Sequence, residues 1–209
     1  MSAICHHIPE HLLQDYAEGR LPHPFAVVAA AHLSICDACR ARLEAEDLVG
    51  GTFLEELEGA SLGAGARARV LGALDGPPPP LMRGSGIFPA PVMAALGGHP
   101  PRWRMLGGGI RQQILSADDS GSLRLLYIPP GRAVPEHGHG GLELTLVLQG
   151  SFADCEGRFA RGDIEAAHDG IDHQPVAGAE GPCICLAATD APLRFHALLP
   201  RLLQPMFRI

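Results

Sequence analysis

Residues 76–101 read GPPPPLMRGSGIFPAPVMAALGGHPP, in which eight Pro and five Gly fill half of the 26 positions and Arg83 is the only charge. Proline removes a backbone donor and glycine raises the entropy cost of order, so neither a long helix nor a central strand is expected to run through this stretch. The four consecutive prolines at 77–80 favour an extended polyproline spacer. A chain of 209 residues divided this way leaves two segments, 1–76 and 102–209, each long enough to bury a core of its own. The expected layout is two domains joined by a linker over 77–101.

The hydrophobic period changes across that divide. Upstream it is helical: Leu12, Leu13 and Tyr16 share a face within 9–19, and Phe25, Val28, Ala29 and His32 recur within 24–35. Further helices are expected over 38–58, with Leu43, Leu54 and Leu57 among acids, and over 64–74. Downstream, LRLLYI (123–128) and LELTLVL (142–148) alternate as strands between Gly and Pro turns, and shorter strands are expected at 151–155, 163–166, 183–188 and 193–198. Leu142, Leu144, Leu146 and Leu148 fall on one strand face; Glu143, Thr145 and Val147 fall on the other. Neither face is fully polar, so both are expected to be covered. An all-α first part and an all-β sandwich or barrel follow.

The net charge of −7 argues against a surface for nucleic acid phosphates. Most of it falls in residues 1–76, where eleven Asp or Glu face five Arg, and an acidic helical module suits a basic protein partner. No apolar run has the length a membrane span needs, and the N-terminal residues lack a basic stretch followed by an apolar core, so no membrane association and a cytoplasmic location are expected. In a reducing compartment the six cysteines point to metal or redox chemistry rather than to a disulfide framework.

His32, Cys36 and Cys39 form H-x3-C-x2-C, which brings three zinc-type donors to one helical face or helix junction. Zinc takes four, and His6 or His7 could fold back to supply the last. Without a metal, the same residues would be two buried thiols beside a core histidine. HHIPEHLLQDYAEG followed by AHLSICDACRARLEA resembles the zinc-binding anti-sigma domain, a small helical bundle that holds an extracytoplasmic-function (ECF) sigma factor away from RNA polymerase. The resemblance implies His7, His32, Cys36 and Cys39 as zinc ligands, with His6 the alternative to His7. Leu48, Val49, Phe53 and Leu54 are candidates for the apolar part of a sigma contact.

Gly131, His137, His139, Glu143 and Gly150 follow G-x5-H-x-H-x3-E-x6-G, a pattern that resembles the first signature of the cupin superfamily. His137 and His139 share strand parity. Between His139 and Glu143 a straight strand would span about 13 Å, so the backbone must turn, and Gly140-Gly141 permits it. The second cupin signature is approximated by Gly170-x2-His173, with His168 and Ala177 departing from it. The implied ligands are His137, His139, Glu143 and His173. Such a set accepts zinc, iron or manganese. Cys183 and Cys185 lie on one strand face and are expected to pack inside the barrel.

The order of anti-sigma domain, proline-rich hinge and cupin barrel of the double-stranded β-helix (jelly-roll) type resembles the ChrR family of anti-sigma factors. That resemblance implies a regulator rather than an enzyme: an N-terminal domain that inhibits an ECF sigma factor, and a cupin domain that releases it under oxidative stress such as singlet oxygen, with a protease as a further partner after release. A cupin dioxygenase or isomerase carrying an accessory zinc domain is the competing expectation.

Overall fold

The computed structural model describes residues 3–77, 81–170, 172–192 and 194–195. Among them five helices lead: α1 (Glu10–Ala17), α2 (His23–Leu33), α3 (Asp37–Glu55), α4 (Ala66–Leu74) and α5 (Ala90–Ala95). Proline sets the entry of α1, α2 and α5, where its missing N–H costs no helical bond. Cys36 caps α3 through its sulfur, which accepts from the Cys39 amide. No single described helix is long and apolar enough to cross a membrane.

Among the described residues twelve strands follow: β1 (Arg104–Gly107), β2 (Ile110–Asp118), β3 (Gly121–Ile128), β4 (His137–Gly138), β5 (Glu143–Gln149), β6 (Ser151–Ala153), β7 (Arg158–Ala160), β8 (Ile164–Ala167), β9 (Asp172–His173), β10 (Val176–Ala177), β11 (Cys183–Thr189) and β12 (Arg194–Phe195). They form a six-stranded sheet in the order β1-β2-β3-β11-β5-β8 and two three-stranded sheets, β10-β6-β7 and β12-β4-β9. All pairings are antiparallel. This is a cupin-like β domain with a helical N-terminal region.

The two faces of β5 are covered by different things. Leu144, Leu146 and Leu148 join Leu123, Leu125, Leu186 and Ala188 in one buried cluster with Leu12, Leu13, Phe25, Val28 and Ala29 of the helices. Val147, on the opposite face, packs with Phe152, Phe159, Cys183 and Cys185 in a second cluster. The sheet is therefore sandwiched between the helices and its own interior, which is why the strand shows no polar face.

The helical and β parts thus share a core. Where the sequence leads one to expect two domains with separate cores joined by a linker, α2 packs directly on β3, β5 and β11. The stretch expected to be extended also contains α5, whose Val92, Met93 and Leu96 are buried with the α2 side chains. Apolar residues spaced along PAPVMAAL outweigh the flanking proline and glycine because α2 gives them a surface to cover. The remaining prolines of the run at 77–80, and the strand expected over 193–198 apart from Arg194–Phe195, lie outside the described residues.

Helices α3 and α4 behave differently. Cys39 is the only buried side chain of α3, and α4 buries none. Leu48, Val49, Phe53, Leu54, Leu57, Val70, Leu71 and Leu74 are each between 46% and 74% exposed.

Candidate functional site

Among the described residues, two clusters of metal-type donors stand out, one in the helical part and one among the strands. In the first, His7, His32, Cys36 and Cys39 place their donor atoms within 4.8 Å of one another. Pro9 starts α1 just after His7, the last turn of α2 presents His32, and the first turn of α3 carries both sulfurs. His7 Nδ1 lies 3.4 Å from Cys36 Sγ and 3.6 Å from Cys39 Sγ. A tetrahedral zinc with ordinary bond lengths would separate nitrogen and sulfur donors by about 3.5 Å, so the spacing fits that ion.

His32 supports the same fit. Its Nδ1 donates to the Gly162 carbonyl at 2.9 Å, which leaves the lone pair on Nε2, and Nε2 is buried without a hydrogen-bond partner. An orphaned imidazole nitrogen aimed at two thiols is costly unless a cation takes it. Burial pushes the Cys39 thiol up, and a bound metal offsets that by replacing the proton. Arg42 contributes a weaker positive charge, with Nη1 on the Ile8 carbonyl at 3.0 Å. His6 turns elsewhere: its ring lies tilted at 43° against Phe159, 4.4 Å between centroids, and its Nδ1 is 3.5 Å from Asp163.

A pH dependence follows for the metal-free chain. Burial lowers the pKa of His32 from 6.5 to about 4, against a smaller rise from its Gly162 bond. The unfolded chain then binds this proton first, so the stability is fully present above 6.5 and is lost as pH falls toward 4. The thermal midpoint of metal-free protein is expected to fall through that window and to fall less steeply in His32→Leu; equal slopes would count against the assignment.

In the second cluster, His137 and His173 are register partners across β4 and β9, and His139 follows β4 directly. Nε2 of His173 is 3.2 Å from Nε2 of His137 and 3.0 Å from Nε2 of His139. Nδ1 of His137 donates to the Pro135 carbonyl at 2.8 Å, and Nδ1 of His173 to Asp154 at 2.7 Å. The His137 ring therefore turns its Nε2 lone pair toward the meeting point of three ring nitrogens, an arrangement that suits a cation. The spacings fall between about 3.0 Å for donors at right angles and about 3.4 Å for tetrahedral donors on such an ion, so they fit a metal without choosing one.

Glu143 stands outside this trio, at 3.7 Å from the other ring nitrogen of His139, and accepts from Thr145 Oγ1 at 3.0 Å. The turn that brings it inward is locked where the Leu142 amide donates to Asp190 at 2.8 Å. A Cβ on Gly141 would collide with that carboxylate, which explains the glycine. His168 is exposed on its loop with Nδ1 on the Asp169 carbonyl.

Two acids that sequence reasoning missed stand behind His173. Its Nδ1 lies 3.3 Å from Glu165 as well as 2.7 Å from Asp154. Burial disfavours the His173 cation, but contacts with Glu165 and Asp154 outweigh it and raise the pKa to about 9. Burial raises Glu165 to about 7. The carboxylates favour positive charge at the centre and fix the ring that faces it. Glu165 left one signal, a charge at the interior parity of IEAA; Asp154 left none. Nearby, Cys183 and Cys185 are buried with their sulfurs 3.4 Å apart, and the Cys185 thiol is pushed up by its bond to Cys183 and by burial.

The sequence model of the ChrR cupin-like domain matches residues 98–191. The anti-sigma-E factor ChrR of Cereibacter sphaeroides is 51% identical over 211 residues, covering 99% of both chains. A crystal structure of Rhodobacter sphaeroides SigE in complex with the anti-sigma ChrR aligns with TM-score 0.80 and 49% identity, over 90% of this chain and 100% of that one. A cupin protein from Ralstonia eutropha aligns with TM-score 0.43 and 21% identity, over 47% of this chain and 68% of that one.

Proposed function

The chain belongs to the ChrR family of anti-sigma factors, and from that premise we propose that it binds and inhibits an ECF-type sigma factor through residues 1–76. The exposed apolar side chains of α3 and α4 carry this reading. Leu48, Val49, Phe53 and Leu54 of α3, Leu57 just past its end, and Val70, Leu71 and Leu74 of α4 each expose apolar surface that water does not favour. Acids stand in sequence among them at Glu44, Glu46, Asp47, Glu55, Glu56 and Glu58. Exposed apolar side chains interspersed with negative charge suit a helical partner with a basic surface. The relative that matches end to end is named a regulator, and the enzyme reading gives way to it.

Co-expression with candidate sigma factors from the same genome, followed by affinity capture and zinc counting, tests the proposal. Capture of one sigma factor by the wild type, lost together with zinc in His32→Ala, is the expected result. Zinc-loaded protein that captures none would remove the reading.

The finer assignment is that zinc occupies the site of His7, His32, Cys36 and Cys39, and a second divalent metal, zinc, iron or manganese, the site of His137, His139 and His173 with Glu143 as fourth donor. A metal there would supply a Lewis-acidic or redox-active centre. Oxidative stress, singlet oxygen or a related oxidant, acts at this second site and weakens the grip on sigma; a hundredfold change in affinity requires about 3 kcal/mol of coupling. His137→Ala is expected to hold about one metal equivalent less, to capture sigma as before, and to lose oxidant-driven release. Full release in that variant would take the second metal out of the account.

A further inference from the structure

Four consecutive residues at the start of β8 touch both clusters. The Gly162 carbonyl accepts from the His32 ring at 2.9 Å. Asp163 Oδ1 accepts from the amides of Cys5 at 2.7 Å and His6 at 3.0 Å, which aim the segment leading to His7. The Ile164 amide donates to the His6 carbonyl at 3.2 Å. Glu165 then reaches 3.3 Å from the back of the His173 ring. The other Asp163 oxygen accepts from the Ala160 amide at 2.8 Å, so the corner between β7 and β8 is itself fixed.

We propose that this corner, Gly162 to Glu165, is the mechanical link between the two centres, with Asp163 as the positioning residue that ties the cupin strand to the zinc-ligand frame. A shift of His173 moves Glu165, and the strand passes the shift to two of the four N-terminal ligands, His7 through the Asp163 clamp and His32 through the Gly162 carbonyl. The route is short and rigid, since the strand is paired with β5 and buried. Being a coupling between binding sites, it is reciprocal: occupancy of either centre changes the affinity of the other by the same factor. The inference rests on the reading of both clusters as metal sites.

The test uses full-length protein loaded with cobalt(II). Among the donor clusters of the described residues, the N-terminal one alone contains sulfur, so the thiolate-to-cobalt absorption band reports that site. Its loss to excess chelator is timed in the wild type, in His137→Ala, in Asp163→Ala, and in the double variant, with Asp163→Asn as a milder companion. His137→Ala is expected to change the release rate on the order of tenfold, as loss of an outer contact to a metal site does. That dependence should vanish in Asp163→Ala and shrink in Asp163→Asn. Release that speeds up equally in both backgrounds would make Asp163 merely structural and overturn the proposal. Absence of a thiolate band in the wild type would instead overturn the zinc reading itself, and the link with it.

Discussion

Replacing Phe53 with Asp is expected to weaken sigma binding by roughly a hundredfold, about 3 kcal/mol, because an aromatic anchor is exchanged for a desolvated charge. Phe53 is 66% exposed in the free chain, and exposed positions on a projecting helix usually change stability by less than about 0.5 kcal/mol. Binding and folding therefore separate. Titration calorimetry against the cognate sigma factor, beside a thermal melt of the free chain, reads both. An unchanged Kd would move the contact away from the exposed side chains of α3; a collapsed melt would show that Phe53 packs within the chain.

The other large effect is expected from Cys36→Ser. Serine still caps α3, since its hydroxyl can accept from the Cys39 amide as the sulfur does. On the proposed zinc assignment, the substitution therefore removes chiefly the metal bond. Structural zinc contributes on the order of 10 kcal/mol in small domains, comparable to the whole stability of many folds. Under that assignment helix α3 depends on it heavily. Cys39 is its only buried side chain, helped by Arg40 on the Leu33 carbonyl and Arg42 on the Ile8 carbonyl. Loss of zinc should free α3, raise its amide exchange to that of an exposed segment, and abolish sigma capture, while α2 stays protected by the sheet. Full zinc content with an unchanged exchange pattern would contradict this.

Much of this was legible in the sequence. The helical period upstream and the alternating period downstream placed α1 to α4 and β3, β5, β8 and β11 to within a few residues. Part of each histidine cluster was visible from short spacings, His32-Cys36-Cys39 and His137-His139, while His7 and His173, distant in sequence, were reached only through the family resemblance. The hairpin of β1 and β2 was not, since IRQQILSAD mixes polarity on both faces and Gly107, Gly108 and Gly109 read only as a turn. Helix α5 was hidden by composition, because its stability comes from α2 and not from its own propensity. Within the doublet His6-His7, the family's spacing to Leu12-Leu13 pointed to His7; the physical split lies in Asp163, which draws His6 to the cupin side and leaves His7 beside the sulfurs. Asp154 was silent for a similar reason. It acts through His173, nineteen residues away in sequence, and no local pattern encodes such a partnership.

The clamp of Asp163 on Cys5 and His6 joins residues 158 and 157 positions apart, and that distance sets an order of events during synthesis. Helices α1 and α2 leave the ribosome first, but at 8 and 11 residues they are marginal until a partner surface covers them. The surface that buries Phe25 and Val28 includes Leu144, Leu146 and Leu186, which are made much later. Until then the early helices carry a bare apolar face, and the outermost strand of the six-stranded sheet arrives with its own hydrogen-bonding edge uncovered, the side on which Ile164 later meets the His6 carbonyl. Closure of so long a loop is slow. The newborn chain must therefore pass through a sticky interval whose length is set by translation, and a chaperone or an already waiting sigma factor has its best chance to intervene there.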